Sequence, residues 1–317
     1  MTVAELKMPE VPKTTSVFHH ILVAVDFSEA SRRALRLAAP LATDDAHLSA
    51  LHVRNVDWRY EVLDTPELEL ERSDARYRLE ALVREFGAPQ KIQTILLKHW
   101  AVSQTILSTL AKEDADLLVI GTRGRGGLQK LALGSVAEEL MRLAPCPVMT
   151  IGPKVDLSAH SAGIEFRTIL FATDFGKGST KALPVVLELA RQHNSKLIVQ
   201  HMLAPMPMTS TSLSAYAPAS AAADEFQEWE GSSRNRSLQQ LRDWMPRDTG
   251  LAQDPEYVVG TDFSPEGILT AAINVNADLI VMGANHKGSA RFAAHIPWTA
   301  VHEVVRNAPC PVLTVAG

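Results

Sequence analysis

The sequence predicts an α/β protein built from two copies of one unit, and three observations carry that expectation. Hydrophobic residues are 46% of the 317, but aromatic ones only 6%, so the core is made of Ala, Val, Ile and Leu, as buried parallel strands packed on helices are. Short apolar, β-branched runs alternate with segments of helical period, the pattern of a parallel sheet with right-handed crossovers. The chain also repeats itself once, and at about 150 residues per domain its length leaves room for two cores.

The repeat is visible residue by residue. Phe18-His19-His20-Ile21-Leu22-Val23-Ala24-Val25-Asp26-Phe27-Ser28 set against Phe166-Arg167-Thr168-Ile169-Leu170-Phe171-Ala172-Thr173-Asp174-Phe175-Gly176 gives six identities in eleven at an offset of 148. Ala115 to Gly121 matches Ala277 to Gly283 at an offset of 162, and Pro145-Cys146-Pro147-Val148 matches Pro309-Cys310-Pro311-Val312 at 164. One long period of this kind is a duplicated domain, not a solenoid. The expected layout is a tail over 1–17, a first unit over 18–152, a polar linker over 153–165 and a second unit over 166–317. The growing offset places an insertion of about fourteen residues near 205–234, where the Ser/Thr/Ala-rich run Thr209 to Ala223 reads as a long loop. Two further residues enter between Gly283 and Trp298.

Within the first unit, Ile21 to Val25 is a continuous apolar run, a strand covered on both faces. Ala34, Leu37, Ala38 and Leu41 recur at helical spacing behind Ser28, a candidate N-cap. A second strand runs to Leu51-His52-Val53. Thr65-Pro66 then opens a helix with Leu79, Leu82, Val83 and Phe86 on one face and Gly87 closing it. Ile92 to Leu97, Leu117 to Ile120 and Val148 to Ile151 are strands; Val102 to Ala111 and Ser135 to Leu143 are helices. In the second unit Pro184 falls inside the first expected helix, which should start late or kink there.

A formal net charge of −5 excludes the basic field of a general nucleic-acid binder. Met1 to Lys13 lacks the basic-then-apolar order of a secretory signal, and no apolar run approaches the ~18 residues of a membrane span, so a cytoplasmic protein without membrane partners is expected. Cys146 and Cys310 read as buried small hydrophobes. His52 and His201 occupy duplicate positions and read as structural; His19, His20, His295 and His302 show no metal spacing, and no metal ligands are assigned.

The chemistry concentrates after the fourth strand. Gly121-Thr122-Arg123-Gly124 is followed nine residues later by Gly134-Ser135 at a helix start. Glycines there permit positive φ and let amides approach a bulky anion. Ser135 and Val136 would offer first-turn amides and the positive helix end to phosphate oxygens, with Arg123, Arg125 and Lys130 nearby. Asp26 shares the crevice if the first and fourth strands are neighbours, where a carboxylate suits a ribose hydroxyl or a metal ion. The competing reading is a plain turn with solvated arginines and a helix-capping Asp. Neither G-x-x-x-x-G-K-[ST] nor a complete G-x-G-x-x-G is present.

The spacing Gly121-x2-Gly124-x9-Gly134-Ser135 resembles the G-2x-G-9x-G-[S/T] signature of the ATP-binding universal stress proteins. Asp26-Phe27-Ser28, Leu51-His52-Val53, Ala115-Asp116 and Pro145-Cys146-Pro147-Val148 match the family's other marks, so nearly the whole chain resembles a tandem universal stress protein. The resemblance implies an adenine nucleotide alpha hydrolase-like fold: two open five-stranded parallel sheets, order 3-2-1-4-5, with helices on both faces. It implies ATP, with or without Mg, having adenine near Val25 and the backbone of Val53, ribose near Asp26 and Gly121, and phosphates on Gly124, Gly134, Ser135 and Val136. It also implies pairing of the units through their last strands, Val148 to Ile151 beside Val312 to Val315, and leaves a homodimer open. The second unit departs: His286 replaces the second glycine and Trp298-Thr299 replaces Gly-Ser. There His286, Lys287 and Arg291 would have to supply charge in place of amides, and a degenerate, packing half is expected.

Three functions fit. The first is a regulatory nucleotide-binding protein of the stress-response type; the second a weak ATPase with Arg123 as transition-state stabiliser; the third a nucleotide-free interaction scaffold. The single obvious carboxylate at the site, Asp26, and the lack of an evident base argue against phosphoryl transfer, so no catalytic residue is assigned.

Overall fold

The computed structural model describes residues 17–42, 45–60, 65–86, 92–123, 133–156, 165–203, 219–261, 265–284 and 298–317. The first half contributes β1 (His20–Ala24), α1 (Glu29–Leu41), β2 (His47–Asn55), α2 (Pro66–Glu85), β3 (Ile92–His99), α3 (Val102–Lys112), β4 (Leu117–Gly121), α4 (Ser135–Leu143) and β5 (Val148–Ile151). The second contributes β6 (Thr168–Thr173), α5 (Lys177–Gln192), β7 (Lys196–Met202), α6 (Ala219–Trp244), β8 (Glu256–Gly260), α7 (Pro265–Asn274), β9 (Leu279–Ala284), α8 (Trp298–Asn307) and β10 (Val312–Ala316). A 3₁₀ turn, Trp58–Tyr60, follows β2.

The strands lie in one sheet, β3-β2-β1-β4-β5-β10-β9-β6-β7-β8. Each half therefore has the order third, second, first, fourth, fifth. Every ladder is parallel except that between β5 and β10. Alternation along the strands divides the interior in two. Ile21 and Val23 belong to the core that α1, α2, α5 and α6 cover on one face, and Leu22 to the core that α3, α4, α7 and α8 cover on the other. Full burial of each such aliphatic side chain is worth about 1.5–3 kcal/mol, which is why the central strands carry almost no polar residue.

At the seam, Val312 faces Thr150, Leu313 faces Met149 and Thr314 faces Val148. Thr150 Oγ1 donates to the Val312 carbonyl at 3.1 Å, and Thr314 Oγ1 donates to the Val148 carbonyl at 3.3 Å. These are duplicate residues making the same bond in opposite directions, as a self-complementary contact requires. Both hydroxyls are buried, so the bonds also satisfy groups that water cannot reach.

The repeated Ala-Asp pair ties the fourth strand of each half to the first. Asp116 donates its amide to the His20 carbonyl at 3.0 Å, and its carboxylate accepts from the His19 and His20 amides at 2.7 and 3.0 Å. Asp278 repeats this with Thr168: amide to carbonyl at 2.9 Å and carboxylate to amide at 2.9 Å.

Two expectations are corrected. Of the two alternatives expected at Pro184 the late start is not found: helix α5 begins directly after its N-cap Gly176 and continues past Pro184 to Gln192. Pro184 and Thr180, the residue whose carbonyl loses its partner, both lie on the exposed face. Water can take the orphaned carbonyl while Ala182, Val186, Leu187, Leu189 and Ala190 stay buried, offsetting a cost of about 3 kcal/mol. The inserted segment is not loop throughout, since α6 already runs from Ala219; residues 204–218 and Gly87 lie outside the described residues. The Ala-rich part of the insertion has high helix propensity, which the Ser/Thr content obscured. Among the described residues no helix is long and apolar enough to cross a membrane.

Asp116→Ala removes an acceptor of two amides and Asp278→Ala an acceptor of one. Urea unfolding is expected to show a loss of about 1–3 kcal/mol for the first and a smaller loss for the second.

Candidate functional site

Strand β1 is paired on both sides, with β2 and with β4. The helix after β1 leaves toward one face and the helix after β4 toward the other, the arrangement that in open α/β sheets leaves a crevice at the carboxyl ends of the strands. Val25 and Asp26 follow β1 at its rim. Val25 donates its amide to the Leu51 carbonyl at 2.8 Å. The Val25 and Val53 side chains are buried in opposite cores, so they do not form one wall; Val53 can meet a ligand at Val25 through its main chain alone.

The turn from β1 into α1 is strained and braced. Phe27 has φ 62°, a left-handed conformation uncommon for a bulky residue. Its ring packs on the His52 imidazole, centroids 4.4 Å apart, under the Arg78 guanidinium at 4.4 Å. His52 Nδ1 lies 2.6 Å from the Val25 carbonyl; a carbonyl can only accept, so Nδ1 carries the proton. Asp26 Oδ1 accepts from the Ser28 amide at 3.0 Å and from Ser28 Oγ at 2.5 Å. Ser28 Oγ caps α1 through the Ser31 amide and lies 3.2 Å from the Arg123 carbonyl. One hydroxyl thus links the carboxylate, the first helix and the loop after β4. The sequence marked Ser28 only as a cap.

Across the crevice, Gly121 is a packing requirement. A Cβ there would stand 2.6 Å from the Ala30 carbonyl carbon, so its missing side chain lets α1 lie against β4. Gly134 has φ −67° and ψ 139°, extended backbone open to any residue, and the expected positive φ is not what it supplies. Among the described residues a Cβ on Gly134 would meet the Thr122 carbonyl oxygen at 3.5 Å, an ordinary contact. Its amide donates to that same oxygen at 3.0 Å, which fixes where α4 begins. As N-cap it offers no side-chain hydrogen bond, so it leaves the first amides of α4, which begins with the exposed Ser135 and Val136, uncapped at the positive end of the helix. Gly124, Arg125 and Lys130 lie outside the described residues.

The family model described as the universal stress protein family matches residues 18–152 and again 165–316. The chain belongs to the universal stress protein family. A universal stress protein of Methanocaldococcus jannaschii is 30% identical over 145 residues, covering 43% of this chain and 83% of that protein. One from Thermus aquaticus is 34% identical over 142 residues, covering 43% of this chain and 99% of its own length. The crystal structure of a universal stress protein from Archaeoglobus fulgidus covers 95% of this chain and 97% of its own with a TM-score of 0.60 at 19% identity, a likeness of fold across both halves.

The second universal stress protein half keeps the brace and changes the crevice. Phe175, φ 58°, packs on His201 at 4.6 Å and on Trp244 at 5.5 Å, and His201 Nδ1 lies 2.9 Å from the Thr173 carbonyl. Asp174, however, is 3% exposed, and its Oδ1 accepts from the Gly176 amide at 2.8 Å and from Ser179 Oγ at 2.7 Å. Both carboxylates accept from the amide two residues on and from a hydroxyl, and burial is what separates Asp174 from the partly exposed Asp26. Trp298 opens α8 where Gly134 precedes α4, half-buried against the core with its ring 4.8 Å from that of His302. His286, Lys287, Arg291 and His295 lie outside the described residues.

Outside the crevice the remaining candidates are structural. His20 is held by the Glu113 carbonyl at 2.5 Å and Ser49 Oγ at 2.9 Å. Burial pushes both the Cys146 and Cys310 thiols up to about 12, which leaves them protonated and unreactive at neutral pH. Among the described residues no cluster of three or more His, Cys, Asp or Glu could hold a metal ion.

Gly121→Ala is expected to cost about 1–3 kcal/mol by overpacking α1 against β4, read from denaturant midpoints. Burial holds His193 and His201 below the ordinary imidazole value. Unfolded histidine titrates near about 6.5, so just below that pH the unfolded chain binds more protons. Stability is full above it and declines as pH falls toward the lowered folded values. Urea midpoints should fall between about pH 7 and about pH 5, less steeply in His193→Asn.

Proposed function

We propose that the first half binds ATP and that the protein acts in the cytoplasm as a nucleotide-dependent regulator. The observation that carries this reading is the start of α4: an N-terminus with no capping side chain, opened by a glycine in extended backbone, at the point where the strand order reverses. A helix end of this kind suits phosphate oxygens. In this reading Gly124, Gly134, Ser135 and Val136 hold the phosphates, with Arg123 beside them. Asp26, positioned by Ser28, meets the ribose near Gly121, and adenine lies against Val25 and the main chain of Val53. The layout of units remains that expected from the sequence, 18–152 as the nucleotide-binding unit and 166–317 as its companion.

Regulation follows from the linkage through Ser28. Its hydroxyl touches both the carboxylate and the Arg123 carbonyl, so a ligand that moves either moves the turn into α1 as well. Nucleotide can shift conformation or assembly only as far as its affinities for the two states differ. Stabilisation by binding amounts to about 2.7 kcal/mol at a hundredfold excess over Kd.

Gly134→Ala separates this reading from a purely structural role for the glycine. The backbone there accepts alanine, so the variant should be as stable as the parent or about 0.4–1 kcal/mol more stable. In calorimetric titration its ATP affinity should nonetheless drop by about tenfold or more, because the methyl group occupies the space beside the phosphate amides. Equal affinity in parent and variant, or a flat titration of the parent, overturns the proposal.

A further inference from the structure

Helix α2 carries an outward stripe that its own packing does not explain. Ala75, Leu79, Leu82 and Val83 are its buried residues. On the opposite side of the helix Leu70 is 73% exposed and Tyr77 66%. Seven residues separate them, which puts them two turns apart on one line along the helix. A single exposed leucine is ordinary, whereas two large apolar side chains in line form a seam that another helix can cover.

Charge flanks this seam with opposite sign toward its two ends. Glu67, Glu69 and Glu71 stand in the amino-terminal part of the helix, and Arg76, Arg78 and Arg84 follow. The later acids are already matched: Glu80 pairs with Arg84 at 3.3 Å and Glu85 with Arg32. Glu69 and Arg76 are one heptad apart and so share a flank of the seam. Glu69 has a loose contact with Arg72 at 3.5 Å, each more than half exposed. Arg76 is exposed and makes no ion pair among the described residues.

The second half supplies a control. Ala75, Leu79 and Val83, buried at a spacing of four, match the buried Ser237, Leu241 and Met245 of the segment that α6 supplies. On that register Leu70 corresponds to Ser232 and Tyr77 to Gln239, both exposed, while Glu69 and Arg76 correspond to Gly231 and Leu238. The fold therefore does not require apolar side chains at these positions, and the half without them also lacks the charged flank.

We propose that the outward face of α2 is a self-association surface, on which a second copy of this chain packs its own α2 antiparallel about a two-fold axis between Ser73 and Asp74. That axis sets Leu70 of each copy against Tyr77 of the other. A two-fold also brings the same flank of both helices together, so Glu69 of each copy meets Arg76 of the other. One symmetry operation thus covers both apolar residues and joins charges of opposite sign twice. Asp74, nearest the axis, has its own counter-ion in Arg78 at 3.7 Å, which limits its repulsion with the second copy. Strands β5 and β10 are already paired inside the chain, so a contact between two chains must use another surface. Helix α2 lies over β2 and β3, at one end of the ten-stranded sheet and away from that seam. A single pair of helices about 30 Å long is a small interface, so the dimer is weak and reversible.

Sedimentation equilibrium of the full chain, loaded from micromolar to millimolar concentration, tests this. A reversible monomer–dimer equilibrium is expected, its dissociation constant raised about tenfold or more by Leu70→Ser and by Tyr77→Gln. Both side chains are exposed in the single chain, so the thermal midpoint of dilute protein should not fall. Glu69→Arg and Arg76→Glu each set like charges together and should weaken the dimer a few-fold, while the double exchange restores it by re-forming the pair in reverse. A chain that stays monomeric throughout, a dimer indifferent to Leu70→Ser or Tyr77→Gln, or a double exchange as weak as the single ones overturns the proposal. None of these outcomes depends on whether the crevice between β1 and β4 holds ATP.

Discussion

The double pairing of β1 is the constraint on which the rest of the first half depends. A strand flanked by β2 on one side and β4 on the other sends the chain out in two directions, and the helices that follow β1 and β4 must cover opposite faces. The gap at their starting ends is therefore topological, present before any side chain is chosen. What the sequence adds is its lining: a carboxylate at Asp26, a hydroxyl at Ser28 that holds it, and a helix whose first amides are left without a side-chain cap. The strained Phe27 is stable in this setting because its ring packs between an arginine and a histidine that the Val25 carbonyl holds in place, and a strained backbone persists only where its surroundings over-determine it.

The duplication shows which of these features belong to the scaffold. The left-handed Phe, the His clamp and the Asp at the start of the fourth strand occur in both halves, so they serve the fold. Gly121 and Gly283 likewise serve close packing: a Cβ on Gly283 would stand 2.1 Å from the Ser179 amide. Among the features that differ are residues of the proposed site. Gly134 becomes Trp298, the partly exposed Asp26 becomes the buried Asp174, and the cation at Arg54 becomes the core leucine Leu203. The first group makes the same contacts in both copies, while the second group is present in one.

Joining the halves through β5 and β10 removes two sheet edges that would otherwise expose unpaired main-chain groups. The antiparallel ladder brings Glu138, in the first turn of α4, within 3.7 Å of His302 on α8. The helix that bounds the crevice is thus packed against the half that lost the glycine signature.

By itself the sequence determined the fold class, the duplication and the elements of the first half, because buried parallel strands and amphipathic helices write their periods directly into residue order. Helix α4 and strand β5 lie where spacing alone put them, and the universal stress protein family was legible in the glycine spacing and the matching marks around it. Tertiary structure decided what local pattern could not. It carried α5 through Pro184 because the lost hydrogen bond faces water while the opposite side packs, and it made helix of the later part of the insertion. Gly121 is required by packing, whereas at Gly134 the described residues leave a Cβ in ordinary contact, although the two look alike in sequence. Contacts between distant segments, such as Ser28 with Arg123 or Arg54 with Leu68 and Glu71, depend on the three-dimensional path of the chain, and no linear spacing encodes them.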